Sequence, residues 1–396
     1  MENVTIQKGN QYIMGTYARF PLVFEKGEGV YLYDDQGKKY LDFVAGIAVN
    51  CLGYNHEKYN KALCEQLNNL NHVSNLYWTK PAVEAAEKLV KYSGLDQVFF
   101  CNSGAESVEA ALKLSRIYAH KNKGENCYEV ISMNQSFHGR TMGALSLTGQ
   151  EKYHKHLTPL LEGITRTPLN EFEVLREAVS EKTAAIIIEP IQGEGGIHPA
   201  HKEFLQAVRE LCDEKEIVLI FDEVQSGIGR TGKLFAFQHY GIVPDIVTSA
   251  KGLGNGIPIG AIIAKEKFSK AFTPGTHAST FGGNGIACSA VNVVLDELME
   301  KGLLEHVEEM GKFLHDKLLK LKEKFQIVEG VRGFGLMQGI QLSKGVSEII
   351  QSCMEKGLLL VSAGASVIRF VPPLIITREE IEKGLILLET AMEEIK

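Results

Sequence analysis

The sequence predicts an α/β protein with a mostly parallel central sheet, helices on both faces of that sheet, and a smaller α/β domain beside it. From about residue 98, short apolar runs bounded by polar or turn residues alternate with helical segments, which is typical of a parallel sheet with helical crossovers. The pattern of predicted helices and strands changes after Gly285. A length of 396 residues also exceeds what one simple core accommodates, which indicates at least two domains.

The first 50 residues are expected to form a lead-in segment that packs with the smaller domain. A turn at Asp35–Gly37 between short runs predicts a small hairpin there. Two helices should follow, the second opened by Pro81 and ended by Gly94. The first of these helices has an apolar face formed by Tyr59, Leu63, Leu67 and Leu70.

The large domain is expected to span residues 51–284. Its strands are predicted at Val98–Cys101, Glu129–Ser132, Ala184–Ile188, Ile217–Phe221, Ile246–Thr248 and Gly260–Ala264. Its crossover helices are predicted near 104–120, 171–180 and 202–215.

Residues 285–396 are expected to form the smaller domain. Two helices should run to about Gly302 and Phe325, followed by strands near 334–341, 358–361 and 367–371. A last helix should begin at Thr377, because Glu380 stands three residues later, as in a capping box.

Charge and cysteine usage exclude several classes of protein. The net charge is −7 and there is no basic run, which argues against binding of nucleic acid or an anionic membrane. The seven cysteines form no CxxC motif and are odd in number, which favours reduced thiols in an intracellular protein. No signal peptide and no run of the ~20 apolar residues needed to span a bilayer are expected.

The most informative stretch places an acid and an amine at the ends of two neighbouring strands. Asp222 ends the run Ile217–Phe221, and Lys251 follows the run at Ile246–Thr248, beside three glycines. Ligands of open α/β sheets bind beyond the carboxyl ends of the strands. Pyridoxal phosphate needs a lysine for its Schiff base and an anion that keeps its pyridine nitrogen protonated, so the pair indicates this cofactor. The alternative is an acid that ends a buried strand and an unrelated loop lysine.

Three other loops follow strands at the same edge. Ser103 to Glu106 begins a helix whose first N–H groups can bind a phosphate, or the two side chains form only a capping box. In the next loop, Phe137 can stack on a flat ring and Arg140 can bind a carboxylate, unless they are a packed aromatic and a surface arginine. In a third, Glu194 lies among glycines, either in an active-site wall or as a solvated acid.

Two further motifs are weaker. Residues 227–233 fit GxGxxG and nearly fit a P-loop, but Leu234 replaces the required hydroxyl and the glycines do not directly follow the strand. A turn-rich loop is therefore favoured over a nicotinamide site. The histidine pairs 154/156 and 198/201 lack an acid or cysteine at metal-ligand spacing, so no metal site is expected.

Taken together, six motifs resemble the class III pyridoxal-phosphate aminotransferases, a family with the fold-type I architecture. They are SGAE, SFHGR, EPIQGEGG, DEVQSGIGRTG, SAKGLGNGIPIG and HASTFGGN, in one order over residues 103 to 284. The resemblance covers nearly the whole chain.

The resemblance implies roles at the matching positions. Lys251 and Asp222 would be catalytic, with Lys251 carrying the cofactor and moving the proton, and Asp222 pairing with the pyridine nitrogen. Phe137 and Val224 would enclose the ring, and Gln225 would touch its hydroxyl. The cofactor-binding residues it implies are Ser103, Gly104, Ala105, Phe137, Asp222, Glu223, Val224, Gln225, Lys251 and Thr280. Gly104 and Ala105 would cradle the phosphate, and Thr280 would complete that cradle from the partner subunit.

It also implies the substrates. Arg140 would bind the α-carboxylate, Ser279 would lie near the acyl-ornithine, and Glu194 would mask Arg369 until a dicarboxylate frees it. The expected reaction transfers the δ-amino group of N2-acetyl-L-ornithine to 2-oxoglutarate, giving glutamate, in a cytoplasmic homodimer of arginine biosynthesis. Succinylornithine, ornithine or 4-aminobutyrate are alternative donors.

Overall fold

The structure, a computed structural model, describes residues 3–395. In chain order its strands are β1 (Phe24–Glu28), β2 (Tyr31–Asp34), β3 (Lys39–Asp42), β4 (Gln97–Cys101), β5 (Glu129–Met133), β6 (Ile164–Thr167), β7 (Thr183–Ile188), β8 (Ile191–Gln192), β9 (His198–Pro199), β10 (Val218–Asp222), β11 (Ile246–Ser249), β12 (Gly260–Ala264), β13 (Val328–Phe334), β14 (Met337–Leu342), β15 (Leu358–Leu359), β16 (Val361–Ser362) and β17 (Val367–Phe370).

The helices lie between these strands and at both ends of the described chain. In order they are α1 (Val4–Tyr12), α2 (Ala45–Ala48), α3 (Glu57–Asn69), α4 (Lys80–Ser93), α5 (Gly104–Lys123), α6 (Met142–Leu147), α7 (Phe172–Ala178), α8 (Lys202–Lys215), α9 (Glu266–Ser269), α10 (Gly285–Glu300), α11 (Leu303–Lys324), α12 (Ser347–Glu355) and α13 (Arg378–Glu394). Within residues 3–395, none of these helices has the length and apolar character needed to cross a membrane.

The central sheet has seven strands in the order β4-β12-β11-β10-β7-β5-β6. The pairs from β11 to β6 are parallel, whereas β12 is antiparallel to both β11 and β4. The predicted α/β class and mostly parallel sheet are therefore confirmed. The edge strand β6 was not predicted, because its sequence ITRT has no apolar run.

The central strands are apolar because each is covered on both faces. Every residue of β7 is buried, and alternate side chains of that strand belong to different hydrophobic clusters. Ile186 and Ile188 face the larger cluster, whereas Ala185 and Ile187 face the cluster under α5. A strand buried in this way has a continuous apolar sequence.

The beginning and end of the chain share a second sheet. The predicted hairpin is present as β2 and β3, and β3 pairs in parallel with β15. This contact supports the proposal that residues 1–50 pack with a smaller domain at 285–396 and that 51–284 form the large domain. The division stays a proposal, since α10 also packs closely against α3 and α4.

The region after α11 forms a four-stranded sheet in the order β13-β14-β17-β16. The prediction of a single strand over 334–341 was wrong, because a turn at Gly335, with φ +52°, separates β13 from β14. Helix α12 was also not predicted. The predicted capping box is confirmed: Thr377 Oγ1 accepts a hydrogen bond from Glu380 N, and a Glu380 carboxylate oxygen accepts one from Thr377 N.

Candidate active site

A cavity of about 380 Å³ lies beyond the carboxyl ends of β10 and β11, at the edge where the sequence predicted a ligand site. Its volume is in the range of small-molecule and cofactor sites. Nine residues that the sequence assigned to the site line this cavity: Ser103, Gly104, Ala105, Phe137, Arg140, Asp222, Val224, Gln225 and Lys251. The tertiary structure therefore brings together four loops that are far apart in sequence.

Lys251 extends into the cavity from a strained turn directly after β11. Its φ is +47°, a left-handed conformation that is costly for a residue with a side chain. Burial lowers the pKa of Lys251 to about 8, because the charged ammonium loses hydration, while Glu194 partly opposes this effect. About one tenth of the amine is therefore neutral and nucleophilic at pH 7, which is roughly 300-fold more than for a lysine with its ordinary pKa of 10.5.

The rate at which the cofactor-free protein reacts with pyridoxal phosphate should follow this ionisation. Only the neutral amine attacks an aldehyde, so the rate should rise with pH, have its midpoint near 8, and level off above it. Stopped-flow absorbance at a series of pH values measures this. A midpoint near the ordinary 10.5 of lysine would contradict the depressed pKa.

Asp222 is held on several sides. It pairs with Thr248 across β10 and β11, and Thr248 Oγ1 donates a hydrogen bond of 2.8 Å to Asp222 Oδ1. The Val224 N–H donates to the same oxygen at 3.1 Å, and His138 Nδ1 lies 2.7 Å from Oδ2. Asp222 and His138 are both buried, so the carboxylate has a fixed orientation at the cavity wall.

Sequence reasoning assigned no role to His138, Thr248 or Glu189. His138 lies within the SFHGR motif and Thr248 lies near the end of β11. These positions were the sequence features from which a role in the site could have been predicted. Glu189 lines the cavity and accepts a hydrogen bond from Phe137 N at 3.3 Å, while its Oε2 has no partner among residues 3–395. Burial, and then the nearby Asp222, raise the pKa of Glu189 well above 4.5, which favours the neutral acid.

The start of α5 forms an anion-binding wall. The first N–H groups of a helix have no acceptor within that helix, and those of Gly104 and Ala105 lie at the cavity. A Cβ at position 104 would lie 2.7 Å from a Val224 methyl carbon, so only glycine fits. Ser103 caps the helix through Glu106 N, while the Glu106 carboxylate accepts hydrogen bonds from Asn102 N and Nδ2. The Glu106 carboxylate is therefore engaged by these two hydrogen bonds from Asn102.

Two aromatic residues pack together at the cavity, one of which, Phe137, lines it. Tyr153 packs edge-on against Phe137, with ring centroids 5.8 Å apart. The Arg140 guanidinium carbon lies 4.0 Å from the Tyr153 ring centroid, in a cation–π contact. Tyr153 therefore limits the orientations of both the cavity-lining ring and the arginine at the mouth of the cavity.

Glu194 and Arg369 form an ion pair next to the cavity, in which Arg369 is buried and Glu194 is partly exposed. Arg369 Nη1 donates to Glu194 Oε1 and, at 2.9 Å, to Gln225 Oε1, while Gln225 Nε2 donates to Glu194 Oε1 at 3.3 Å. Burial by itself would raise the pKa of Glu194, but Arg369 lowers it overall, so Glu194 is ionised. Gln225, which lines the cavity, connects the pair to the site.

The side chain of Glu223 does not line the cavity. Its carboxylate points into the protein, where it accepts hydrogen bonds from Ser226 Oγ, Ala236 N and Phe237 N at 2.7 to 2.9 Å. Successive residues around a strand end point in opposite directions, so Asp222 faces the cavity and its neighbour does not. Glu223 therefore stabilises the loop that contains the GxGxxG sequence, which has turns and no helix, as expected.

Ser279 and Thr280 lie outside the cavity of their own chain. Ser279 Oγ accepts a hydrogen bond of 3.2 Å from Asn102 Nδ2, so it lies behind the cavity wall. Thr280 is exposed, on a loop beside a groove of about 1030 Å³ that includes Tyr77 and Trp78. This placement is compatible with Thr280 serving a second subunit.

Comparisons with known proteins identify the family to which these features correspond. The sequence model of the class-III aminotransferases matches residues 12–392. The acetylornithine aminotransferase of Clostridium acetobutylicum is 51% identical over 383 residues, which cover 96% of this chain and 99% of that protein.

Two solved structures have the same fold. The N-acetylornithine aminotransferase from Stenotrophomonas maltophilia K279a has a TM-score of 0.85 and 37% identity, over 98% of this chain and 99% of that chain. An ornithine aminotransferase from Toxoplasma gondii has a TM-score of 0.95 and 32% identity, over 99% of this chain and 94% of that chain. The latter has pyridoxal phosphate at partial occupancy in its active site.

Proposed function

Because the chain belongs to the class-III aminotransferases, we propose that it transfers the δ-amino group of N2-acetyl-L-ornithine to 2-oxoglutarate. The products are N-acetylglutamate 5-semialdehyde and glutamate, as in arginine biosynthesis. The observation that carries this function is the pair Lys251 and Asp222, which line one cavity from two adjacent strands. The relatives named above supply the choice of amine donor.

Class-III aminotransferases depend on pyridoxal phosphate, and the cavity has the groups that this cofactor needs. These groups are a buried amine with a lowered pKa, a fixed carboxylate, a helix N-terminus in which a Cβ at Gly104 would clash, and an aromatic wall. When bound, the cofactor accepts the electron pair that remains after a substrate C–H bond breaks. Binding of the cofactor, recognition of the substrates and transfer of the proton are carried out by residues of this chain.

Lys251 Nζ performs the proton transfer. As a neutral amine in a buried site, it would take the proton from the substrate carbon that carries the amino group and deliver it to the carbon of the cofactor that carried the aldehyde group, so that the amino group stays with the cofactor. Asp222 would keep the pyridine nitrogen protonated, because Thr248, Val224 N and His138 hold its carboxylate in place. Phe137 and Val224, which line the cavity, would enclose the ring, and Gly104 and Ala105 would bind the phosphate with backbone N–H groups.

Two arginines divide the recognition of substrates. Arg140, at the mouth of the cavity, binds the α-carboxylate of the amine donor, and its planar guanidinium suits a bidentate contact. Arg369 binds the second carboxylate of glutamate or 2-oxoglutarate. Glu194 neutralises Arg369 in the observed structure, so the site accepts an amine donor that has no charge at that end.

We also propose a homodimer with shared active sites. A patch of large apolar side chains is exposed beside the groove near Thr280: Tyr77 is 69% exposed and Trp78 is 93% exposed. Surfaces of this kind are typical of protein interfaces. A second copy on this patch would bring Thr280 to the phosphate of its neighbour. Sedimentation equilibrium should give the mass of two chains, and a monomer would contradict the proposal.

A cytoplasmic location is proposed as well. All seven cysteines are free, and six of them are buried, as is usual in a reducing compartment. Cell fractionation with an antibody against the chain tests this, and recovery in a secreted or membrane fraction would contradict it.

The choice of amine donor can be tested by steady-state kinetics. With 2-oxoglutarate as acceptor, we expect kcat/KM to be highest for N2-acetylornithine, and at least about tenfold lower for ornithine and 4-aminobutyrate. Free ornithine brings an additional ammonium group close to Arg140, and 4-aminobutyrate has no α-amide. Succinylornithine is the nearest competitor. A clear preference for free ornithine would overturn the proposed donor.

A further inference from the structure

Arg332, Gly339 and Arg369 lie in one row of the small sheet. Arg332 on β13 pairs with Gly339 on β14, which pairs in turn with Arg369 on β17. Residues that face each other across neighbouring strands project to the same face of a sheet. The two arginines therefore extend from one face, two strands (about 10 Å) apart, with a glycine between them.

The loop that contains Glu194 crosses this row and is held at three points. Arg369 Nη1 donates to the Glu194 carboxylate, and Arg332 Nε donates to the Gly196 carbonyl oxygen at 2.7 Å. Between these contacts, Ile197 lies over Gly339, where a Cβ would be 3.0 Å from Ile197 Cγ1. The glycine in the row thus provides space for the loop.

Arg332 is fixed by its other contacts. Its Nη2 donates to Gln341 Oε1 at 3.1 Å, and Gln341 Nε2 donates to Ser366 Oγ at 2.7 Å. Arg332 has no carboxylate partner within residues 3–395. Its charge is therefore directed at the backbone of the Glu194 loop, and a charged donor gives a stronger hydrogen bond to a carbonyl than a neutral one.

We propose that Arg332 is a positioning residue that anchors the Glu194 loop to the small sheet and thereby sets how readily Glu194 releases Arg369. The inference rests on the proposed function, in which this ion pair discriminates between the two substrates. With Gly196 anchored and Ile197 over Gly339, the Glu194 side chain moves when a dicarboxylate binds, while the loop backbone stays in place. The pair then re-forms without the entropic cost of ordering the loop again.

Loss of the anchor should affect the two half-reactions unequally. When the loop is not held at Gly196, formation of the Glu194–Arg369 pair costs more conformational entropy. Arg369 is then unmasked for a larger fraction of the time. The amine donor, which needs the masked site, should react less efficiently. The dicarboxylate, which needs Arg369 free, should react as well as before or better.

The test uses single-turnover kinetics of the holoenzyme with N2-acetylornithine and, separately, of its amine form with 2-oxoglutarate. In Arg332→Gln, the ratio of kcat/KM for the amine donor to that for 2-oxoglutarate should fall about tenfold. Arg332→Lys retains one charged donor for Gly196 and should remain within about threefold of the wild type.

Arg116 is the matched control. It is also half-buried and donates through Nε to a backbone carbonyl, that of Tyr128, at 3.0 Å, and through Nη2 to the Glu162 carbonyl at 3.1 Å. It lies outside the cavity and away from the small sheet. Arg116→Gln should reduce stability like any loss of such contacts but leave the ratio of the two half-reactions unchanged.

Hydrogen–deuterium exchange gives a readout that does not depend on activity. In both the cofactor-free and the loaded protein, amides of residues 194–197 should exchange faster in Arg332→Gln than in the wild type or Arg116→Gln. If Arg332→Gln does not fold, Gly339→Ala replaces it. Its added methyl group displaces Ile197 and should shift the ratio and the exchange in the same direction.

Glu194→Gln separates the two possible failures. If Glu194→Gln shifts the ratio while Arg332→Gln leaves both ratio and exchange unchanged, the role of Arg332 is refuted and the proposed function stands. If Glu194→Gln itself leaves the ratio unchanged, the ion pair does not discriminate between the substrates, and the inference fails together with that part of the proposed function.

Discussion

Replacement of Lys251 by alanine is expected to lower kcat by about 10⁴-fold or more, because in the proposed function one side chain supplies both the amine that holds the cofactor and the base that moves the proton. Its lowered pKa of about 8 suits it for both tasks near neutral pH. Steady-state transamination measures the loss. Reduction with borohydride followed by peptide mass analysis should find the cofactor on Lys251 in the wild-type protein and on no residue of the variant.

Lys233→Ala is the control for this experiment. Lys233 ends the sequence that nearly fits a P-loop, and in the structure it forms a surface ion pair of 2.6 Å with Glu308. Surface pairs of this kind contribute little, so activity should stay within about twofold of the wild type. Substantial turnover by Lys251→Ala, or a large loss in Lys233→Ala, would refute the assignment of the catalytic amine.

Replacement of Asp222 by asparagine should lower kcat by about 10²–10³-fold. The two side chains have nearly the same size and shape, so the substitution changes mainly the charge. The substitution removes the negative charge that, in the proposed function, keeps the pyridine nitrogen protonated, and it leaves a buried His138 beside a neutral amide. The absorption spectrum of the bound cofactor and its pH dependence should change together with kcat. A variant with a normal spectrum and normal turnover would contradict the role of Asp222.

The neighbouring acid offers a contrasting variant. Glu223 is equally buried but points away from the cavity, so Glu223→Gln should retain a normal spectrum and kcat within about threefold, while stability falls by about 1–3 kcal/mol. Burial raises the pKa of Glu223 to about 7. The folded state therefore binds the extra proton, and the contribution of Glu223 to stability falls as pH rises from about 4.5 to 7. Glu223→Gln should remove this slope from the unfolding free energy.

Much of the fold was predictable because burial on both faces leaves a direct trace in the sequence. The strands β7, β10 and β12 are continuous apolar runs, and they were located to within a residue or two. Strand β6 was missed because it is an edge strand with the sequence ITRT, which needs only one covered face. The turn at Gly335 was missed because a single positive φ has no apolar signature.

The candidate site was predictable for a different reason. The carboxyl ends of parallel strands meet at one edge, so polar residues that follow such strands converge whatever their distance in sequence. This rule brought Lys251, Asp222, Phe137 and Gly104 into one cavity. The rule does not give the direction of each side chain: the Glu223 carboxylate points away from the cavity, whereas Glu189 lines it and His138 contacts Asp222.

The sequence by itself determined the α/β class, the strand-end location of the site and the residues able to carry its chemistry, since these depend on local patterns and on short motifs. Only the tertiary structure decided which of two adjacent acids faces the cavity, which donors hold Asp222, and how Arg332, Gly339 and Arg369 come into one row. These features depend on the register between strands and on contacts between distant segments, and no local sequence pattern encodes either.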